Sequence, residues 1–428
     1  MTKIDTTARR AALTAFDSVS RKGRALDGAL EQIDKSGMPD CDRAFARRLV
    51  MDLLRRRGQI DAVLARHLSR PIPPKHVYVT DVLRLTALQI LYTGTPAHAA
   101  VSTGVELAKQ YKKGAFAPLV NAVSRKICAE QPLTDDDCRL NFPEFLWRAW
   151  EKSYGKERAR SIASAFLKQT PTDFSVKANP AQWAERLNGF VLPAGTVRVA
   201  QSVTVPTLDG YARGDWWVQD FSASLPAKMF SNVAGKSVLD ICAAPGGKTA
   251  QLCSFGADVT ALDISAARMA RLRENMERLG YAPETVVADF LQWRADNPEK
   301  RYDCILLDAP CSATGTLRRH PDVMYHRTRE DIERLSLMQS DLLKAALGAL
   351  KSGGELVYAV CSVLTQEGEA VVDGIEKQGL AKRFPVQNAA FPKEVLTPRG
   401  DVLVLPDMLS DIGGADGFYA CRLIKGEG

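Results

Sequence analysis

The front of the chain repeats apolar residues at the spacing of one helical face. Within residues 43–57, Phe45, Leu49 and Leu53 recur at every fourth position, and arginines occupy many of the positions between them. This periodicity predicts an amphipathic helix that buries one face and offers a cluster of arginines on the other. A proline-rich break and two further apolar helical stretches follow at 71–74, 82–91 and 101–111. We therefore predict an all-α module over residues 1–130.

From Lys236 onward, short apolar runs alternate with longer helical patterns. Strands are predicted at 237–241, 258–262, 285–287, 304–307 and 355–360, and helices after Gly246, at 266–279 and at 331–350. Such alternation predicts an α/β fold with a doubly wound parallel sheet. The tail 418–423 is predicted to add a strand as an antiparallel edge pair.

Residues 131–230 differ in character from both flanks. They contain the acidic run Asp135–Asp137 and tryptophans at 147, 150, 183, 216 and 217 among mixed short segments. We predict a linker and a small α/β subdomain here. The expected division is 1–130, 131–230 and 231–428, which agrees with a length of 428 residues and about 100 to 200 residues per domain.

The net charge of +7 is distributed unevenly. Residues 1–130 hold 22 Lys and Arg against 12 Asp and Glu, a balance of +10, so the remaining 298 residues sum to −3. A basic module ahead of a near-neutral one is typical of a nucleic-acid enzyme with a separate binding domain. A well-solvated helical surface explains the same charge, and Lys109, Lys112 and Lys113 could simply complement a helix dipole.

The cysteine pattern bears on compartment and metal binding. The nine cysteines form no Cys-x-x-Cys pair, and His320 and His326 lack the spacing of metal ligands. No run of about 18 apolar residues occurs, so no membrane span is predicted. We expect a monomeric cytoplasmic protein with neither a disulfide framework nor a metal.

The loop after the first strand of the alternating half predicts a ligand site, because its glycines let the backbone approach a ligand closely. A phosphate-binding P-loop would need glycine in place of Cys242, and Gly-x-Gly-x-x-Gly is absent. Asp263, Asp289 and Asp308 each follow a strand, where acids accept hydrogen bonds from a ribose or an adenine edge. Asp263 or Asp289 could instead cap a helix. Together they favour S-adenosylmethionine over a dinucleotide.

Two thiols occupy equivalent places in the predicted sheet. Cys311 and Cys361 each follow an apolar strand, and the carboxyl ends of such strands share one crevice. Cysteine thiolates attack electrophilic carbons, among them those of a pyrimidine ring. The simpler interpretation of a strand-end cysteine is a small buried hydrophobe. We apply that interpretation to three other cysteines, Cys253, Cys304 and Cys421.

Three motifs together resemble the Nop/Sun family of S-adenosylmethionine-dependent RNA cytosine-C5 methyltransferases: 240–249, 308–312 and 358–362. The resemblance implies a Rossmann-like class I methyltransferase domain, and residues 416–419 resemble the family's terminal strand. The front is similar to the NusB-like RNA-binding domain of the bacterial Sun/Fmu branch, which methylates 16S ribosomal RNA.

The resemblance also implies roles for individual residues. Cys361 matches the nucleophile that attacks cytosine C6, Cys311 the thiol that helps to release the product, and Asp308 the acid that holds the base. Lys248 is a candidate for the cation that a reactive thiolate needs. The implied cofactor contacts are Cys242, Ala243, Ala244, Pro245, Gly246, Gly247, Lys248, Asp263, Asp289 and Asp308.

Two departures from the family pattern concern the grip on RNA. The segment 318–322 resembles a stretch near the family's RNA path, but Tyr325 stands where tryptophan is common. Residues 176–179 replace an Arg-Val-Asn element with Val-Lys-Ala-Asn. Neither departure touches the cysteines.

The function expected is methylation of cytosine C5 in RNA, with 16S ribosomal RNA as the substrate. The alternatives are the same reaction on tRNA, and an inert RNA-binding or antitermination-type protein. A methyltransferase acting on amino groups would keep the cofactor loop and need neither Cys311 nor Cys361.

Overall fold

The computed structural model describes residues 4–201, 203–386 and 390–425. Contacts divide the chain into two compact units, one of residues 1–168 and 317–326 and one of residues 169–316 and 327–428. Within the described ranges, no helix is long and apolar enough to cross a bilayer.

The first unit is helical. Its main helices are α1 (Thr7–Ser20), α2 (Leu26–Asp34), α3 (Asp40–His67), α4 (Val77–Leu91), α5 (Ala97–Lys109), α6 (Ala117–Ile127), α7 (Glu144–Tyr154) and α8 (Lys156–Phe166). Leu49 and Leu53 of α3 are wholly buried in a core shared by α1 to α6, and Phe45 packs at its margin. The all-α prediction for the front is confirmed.

The arginines of α3 are mostly engaged inside this unit. Arg47 pairs with Asp34 at 2.5 Å, and the guanidinium of Arg56 lies 4.6 Å from the centre of the Tyr92 ring. Arg55 is buried, pairs with Asp52 at 3.1 Å and donates to the carbonyl oxygen of Arg318. Several arginines of the predicted cluster are therefore engaged in ion pairs or ring contacts within the unit.

The segment 317–326 belongs to the helical unit although it follows the first thiol motif in sequence. The Leu26 amide donates to Asp322 at 3.1 Å, and the Tyr325 hydroxyl donates to the Leu54 carbonyl at 2.6 Å. Arg318 is 2% exposed. The tyrosine at the departure from the family pattern thus has a structural partner, and Arg318 is not a solvated loop residue.

The second unit contains two sheets. The smaller is antiparallel with the order β2-β3-β1-β4, formed by β1 (Thr172–Val176), β2 (Phe190–Val191), β3 (Val197–Val199) and β4 (Trp216–Val218). The short helices α9 (Pro180–Arg186) and α10 (Phe221–Ser224) accompany it.

The larger sheet has the order β10-β12-β9-β8-β5-β6-β7, with β11 also paired to β12. Its strands are β5 (Ser237–Ile241), β6 (Asp258–Asp263), β7 (Glu284–Val287), β8 (Tyr302–Asp308), β9 (Leu350–Val360), β10 (Ala381–Arg383), β11 (Val402–Val404) and β12 (Phe418–Lys425). The remaining helices are α11 (Gly247–Ser254), α12 (Ala266–Leu279), α13 (Phe290–Asp296), α14 (Val323–His326, in the first unit), α15 (Arg329–Gly348) and α16 (Glu369–Lys377). Strands β5 to β9 pair in parallel, so the predicted doubly wound sheet is confirmed.

The predicted place of the last strand is wrong in one respect. Strand β12 is antiparallel to β9, as predicted, but it does not lie at an edge, because β10 and β11 pair with its other side. Each of these strands has three residues, too few for a period of two to be visible in the sequence.

A buried ion pair ties the small sheet to the last loop of the same unit. Arg198 and Asp173 form two hydrogen bonds of 2.7 Å, and both residues are at most 1% exposed. Arg198 also donates to the carbonyls of Ile412 and Gly414 at 2.9 and 2.6 Å, and Asp173 accepts from the Phe221 amide at 3.0 Å. All three guanidinium nitrogens of Arg198 thus donate to protein oxygens.

We expect Arg198→Met to destabilise the protein by about 3–5 kcal/mol, because it leaves the Asp173 carboxylate buried without its cation. Thermal and urea unfolding would measure the loss. Arg213→Met is the matched control, since Arg213 pairs with Asp209 and Asp215 on an exposed surface and should change stability little. Equal unfolding midpoints for Arg198→Met and the control would contradict the assignment.

Candidate active site

The candidate site lies where parallel strands end together. Registers place Ile241 of β5 beside both Leu262 of β6 and Leu307 of β8, and Asp308 beside Ala359 of β9. The segments that follow these strands therefore emerge at one edge of the sheet, where ligands of doubly wound folds bind. The glycine-rich loop, Asp263, Asp308 and the two thiols predicted from sequence lie at these strand ends, and Asp289 follows β7, which pairs in parallel with β6.

The loop 242–246 is a tight turn held against β6. The Ala243 amide donates to the Leu262 carbonyl at 3.1 Å, and the Gly246 amide donates to the Ala243 carbonyl at 2.9 Å. Gly246 has φ of +102°, and a Cβ there would lie 2.9 Å from Leu272 on α12. Cys242 also has a positive φ, of 62°, and burial raises the pKa of its thiol to about 12. Cys242 is therefore a neutral thiol that shapes the turn.

Asp263 holds this loop from the end of β6. Its carboxylate is 1% exposed and accepts from the Ala244 amide at 3.2 Å and from the Ser265 amide at 2.9 Å. The helix-cap alternative for Asp263 is wrong, because Ser265 caps α12 through the Arg268 amide. Asp263 therefore orders the loop, and its contact with a ribose remains a prediction.

Asp289 does cap a helix. Its side chain accepts from the Gln292 amide at 3.0 Å at the start of α13 and is exposed. Cap and ligand contact are compatible, since a carboxylate has two oxygens and about four acceptor sites.

Lys248 and Asp308 form an ion pair at the centre of the site. Lys248 Nζ lies 2.8 Å from Asp308 Oδ2 and 5.2 Å from the centre of the Phe418 ring. Burial alone would lower the pKa of Lys248, but the charges of Asp308 and then Cys361 outweigh it, and the pKa is raised. Lys248 is therefore an ammonium at neutral pH.

Asp240, in strand β5, interacts electrostatically with this pair. It is wholly buried and accepts from the Thr249 hydroxyl at 2.6 Å, and burial raises its pKa to about 7. Its Oδ1 has no hydrogen-bond partner among the described residues. Asp240 therefore holds a proton more strongly than an ordinary aspartate does.

The donor set fits S-adenosylmethionine by its chemistry. Asp289 and Asp308 present accessible carboxylates to hydroxyl or ammonium groups, and Asp308 is 30% exposed at its side chain. Gly247, the first residue of α11, has no side chain to cover its backbone amide. Nothing in this set resembles a phosphate cradle.

The two thiols predicted from sequence lie side by side. Cys311 Sγ is 3.3 Å from Cys361 Sγ, and both side chains are half-buried. The hydrogen bond to Cys361, together with burial, raises the pKa of Cys311 well above its ordinary value. Cys311 therefore carries a proton next to the other sulfur.

The prediction of a small buried side chain holds for two of the three other cysteines to which it was applied, since Cys253 is only partly buried. Cys304 and Cys421 are fully buried, and burial raises the pKa of Cys304 to about 11 and that of Cys253 to about 12. These three side chains are protonated at neutral pH.

Sequence reasoning missed Glu367, a wholly buried acid beside the thiols. Its carboxylate accepts from the Ser312 amide at 2.7 Å, from the Ser362 hydroxyl at 2.6 Å, from the Gln339 amide at 3.2 Å and from the Ser312 hydroxyl. Ser312 and Ser362 each follow one of the two cysteines. Because Glu367 lies in the loop between β9 and α16, no periodicity marks it.

Backbone contacts also join the two thiol loops to the last strand. The Gly315 amide donates to the Cys361 carbonyl at 3.0 Å, and the Gly417 amide donates to the Gly315 carbonyl at 2.7 Å. A Cβ on Gly315 would lie 2.0 Å from the Gly417 oxygen, and a Cβ on Gly417 would lie 2.2 Å from Val363. We call these three segments, around Gly315, Val363 and Gly417, the glycine clasp.

Lys177, at the second departure from the family pattern, acts within its own unit. Its amide donates to the Asp215 carbonyl at 3.2 Å, its ammonium donates to the Leu279 carbonyl, and that ammonium lies 4.8 Å from the centre of the Tyr281 ring.

Both parts of the chain match known protein families. A family model described as 16S rRNA methyltransferase RsmB/F matches residues 227–424, and a NusB family model matches residues 6–128. The chain is 33% identical to a ribosomal RNA small subunit methyltransferase B of Klebsiella pneumoniae subsp. pneumoniae, over 97% of this chain and 98% of that protein. It is 34% identical to the Xanthomonas campestris pv. campestris protein of the same name, over 85% and 86%.

A solved structure agrees with these matches. A methyltransferase homolog protein from Pyrococcus horikoshii is 26% identical and has a TM-score of 0.57, over 68% of this chain and 100% of that chain.

We expect Gly315→Ala to destabilise the protein by about 1–3 kcal/mol, because the new methyl group overpacks against backbone atoms that cannot move independently. Urea unfolding would measure the effect. Gly374→Ala is the control, since no atom lies within 4 Å of a Cβ at this position in α16 and alanine favours a helix. Unchanged stability of Gly315→Ala would mean that the glycine clasp is not tight.

Proposed function

Because this chain belongs to the RsmB/F family of 16S rRNA methyltransferases, we propose that it methylates C5 of a cytosine in 16S ribosomal RNA through a covalent adduct with Cys361. The observation that supports this chemistry best is the pair of thiols, 3.3 Å apart, at the strand ends that also carry Lys248 and Asp308. A methyltransferase acting on an amino group needs neither thiol.

The first step follows from the weakness of C5 as a nucleophile. The Cys361 thiolate adds to C6, forming a C–S bond, and the electron pair of the C5–C6 double bond becomes available at C5. Asp308, which is partly exposed beside Lys248, accepts hydrogen bonds from the base. The Lys248 ammonium supplies positive charge beside the ring as electron density moves through it. The cytosine must be unpaired or flipped to enter.

When bound, S-adenosylmethionine supplies the electrophilic methyl group that C5 takes up. The adduct then carries both a methyl group and a hydrogen at C5. Water accepts this hydrogen as a proton, the C5–C6 double bond re-forms, and the C6–S bond breaks with its electron pair returning to Cys361. The Cys311 thiol, which lies 3.3 Å away, donates a hydrogen bond to the departing sulfur.

Two alternative functions differ from this proposal in their substrate or in their lack of activity. The same chemistry on tRNA would use the same residues, so only the identity of the modified RNA separates the two. An inert RNA-binding protein would have no need to keep two half-buried thiols in contact beside an ammonium.

We expect Cys361→Ala to abolish methyl transfer, because it removes the attacking sulfur and the neighbouring Cys311 sulfur, 3.3 Å away in the unsubstituted protein, carries a proton. Cys311→Ala should slow product release and let a covalent protein–RNA adduct accumulate. Denaturing gels with 16S ribosomal RNA and S-adenosylmethionine would show that adduct as a slowly migrating band. Cys304→Ala, which changes a buried thiol within strand β8, serves as the control. A Cys361→Ala enzyme with intact activity would point to an amino-group methyltransferase.

The identity of the RNA is tested separately. Bisulfite sequencing of total RNA from cells that lack the protein should show the loss of one or more 5-methylcytosines in 16S ribosomal RNA. Their loss from tRNA instead would favour the alternative substrate.

The helical unit offers a face suited to single-stranded RNA. His76, Tyr78, Tyr111 and Phe116 are half-buried and form a cluster in which His76 and Phe116 have ring centres 4.6 Å apart and Tyr78 and Tyr111 5.2 Å apart. Aromatic rings of this kind stack on unpaired bases and tolerate any sequence. We call this cluster the aromatic face.

Lysines without an ion-pair partner among the described residues flank the aromatic face. They are Lys75, Lys112 and Lys113, all exposed. Lys112 and Lys113 have φ of 47° and 55°, a left-handed backbone that non-glycine residues seldom adopt. We therefore expect the RNA backbone to bind these exposed lysines around the aromatic face. The arginines of α3 suit that role less well, because they are paired.

We expect the double variant Lys112→Ala/Lys113→Ala to bind a single-stranded RNA oligonucleotide more weakly. If each lysine contacts one phosphate, the slope of log affinity against log salt should fall by about 1.4. Fluorescence anisotropy over a series of salt concentrations gives that slope. The matched control is Lys22→Ala/Lys35→Ala, which removes two lysines that pair with Asp17 and Glu31. Equal slopes for the two double variants would exclude this face.

A further inference from the structure

We propose that the buried carboxylate of Glu367 decides which of the two thiols is ionised, by keeping the proton on Cys311 so that the negative charge of the pair resides on Cys361. Glu367 is then a positioning residue, because it reaches the sulfurs only through Ser312 and Ser362 and through its charge. The catalytic meaning of this inference rests on the proposed function, but its geometry does not.

The contacts of Glu367 are shared between the two thiol loops. One serine follows Cys311 and the other follows Cys361, and the carboxylate accepts from both. The hydroxyl of Thr314 lies 3.0 Å from that of Ser362 and 3.2 Å from that of Ser312. One acid therefore fixes the start of both loops and, through them, the distance between the sulfurs.

The charge of Glu367 is balanced by neutral donors. The carboxylate accepts hydrogen bonds from two serines and a glutamine. The hydroxyl of Tyr358 donates to the backbone carbonyl of Glu367. Arg327 also contacts the first thiol loop, where its guanidinium donates to the Ser312 carbonyl at 3.3 Å. Among the described residues no ion pair to this carboxylate is seen, so its negative charge also acts on the sulfurs beside it.

Cys311 and Cys361 face opposite charges as a result. The pKa of Cys311 is raised first by its hydrogen bond to Cys361, then by burial and by the charge of Cys361, and the charge of Glu367 adds to the rise. The pKa of Tyr358 is also raised, by burial first and then by Cys311 and Glu367. On the other side, the Lys248 ammonium interacts favourably with Cys361 and pairs with Asp308. Environments that push two titratable groups apart assign the acid and the base of a pair.

The sign of the effect of Glu367→Gln follows from this arrangement. Removing a negative charge near Cys311 makes the Cys311 thiolate easier to form, so its pKa falls and the proton is no longer confined to that sulfur. The amide is the same size as the carboxylate and still accepts through one oxygen, while the serine hydroxyls can rotate to accept from its nitrogen. The contrast between the two sulfurs should shrink while the loops keep their contacts.

The experiment measures alkylation of the full-length protein by iodoacetamide between pH 6 and pH 10, without RNA or S-adenosylmethionine. Peptide mass spectrometry gives separate rates for Cys311 and Cys361, because thiolates react and thiols do not. In the unsubstituted protein, we expect Cys311 to react only at a higher pH than Cys361 does. Cys311 reacting first, or both reacting together, would overturn the proposal without any variant.

In Glu367→Gln, we expect the preference for Cys361 to fall about tenfold, the equivalent of one pKa unit, and the Cys311 profile to move to lower pH. Glu367→Asp keeps the charge and should keep the preference. Glu369→Gln, an exposed acid two residues away that pairs with Arg399, is the matched control. A folded Glu367→Gln protein with the original profile would refute the role of the charge.

The result is separable from the proposed function. If alkylation follows these expectations but Cys361→Ala still methylates RNA, then Glu367 polarises the thiols and the covalent mechanism is wrong. If Cys361→Ala is inactive but Glu367→Gln leaves the alkylation profile unchanged, the mechanism stands and this inference fails.

Discussion

The chemistry of this protein depends on hydrogen bonds that hold two loops of one sheet edge in a fixed relation. Strands β8 and β9 bring Cys311 and Cys361 to the same edge, but neighbouring strands alone do not set a sulfur–sulfur distance of 3.3 Å. That distance is set by the glycine clasp, through the Gly315 amide, and by the Glu367 carboxylate. These groups are buried, so water cannot replace the partners, and a lost contact leaves a costly unsatisfied group.

The parts of the fold that sequence predicts well are those with local signals. The strand 237–241 and the helix 266–279 were predicted with the bounds that the structure has, because apolar runs and periods are read directly from neighbouring residues. The resemblance to the Sun/Fmu branch is likewise confirmed, since it rests on contiguous motifs. Strands β10 and β11 were missed because three residues carry no period, and their pairing with β12 moved that strand from the predicted edge.

The parts that sequence does not predict are contacts between distant positions. Nothing near Tyr325 indicates that its hydroxyl donates to Leu54, a separation of 271 residues. In the same way, the arginines of α3 suggest an open basic surface only until their acidic partners are known, among them Asp34 for Arg47. Composition records that a charge exists, whereas burial and pairing decide whether it is available to a ligand. Glu367 is the strongest case, because an acid in a loop is normally solvated.

A covalent mechanism asks one of two adjacent thiols to be an anion and the other to remain neutral. Identical residues 3.3 Å apart share a proton unless the surroundings differ. The fold supplies that difference with two opposite charges. Lys248 lies in α11, which follows β5, and Glu367 lies in the loop that follows β9. The carboxylate that fastens the loops is therefore also placed to polarise them, since the same buried position that demands four hydrogen bonds prevents solvent from screening its charge. Structural and electrostatic roles coincide in one side chain because both follow from its burial.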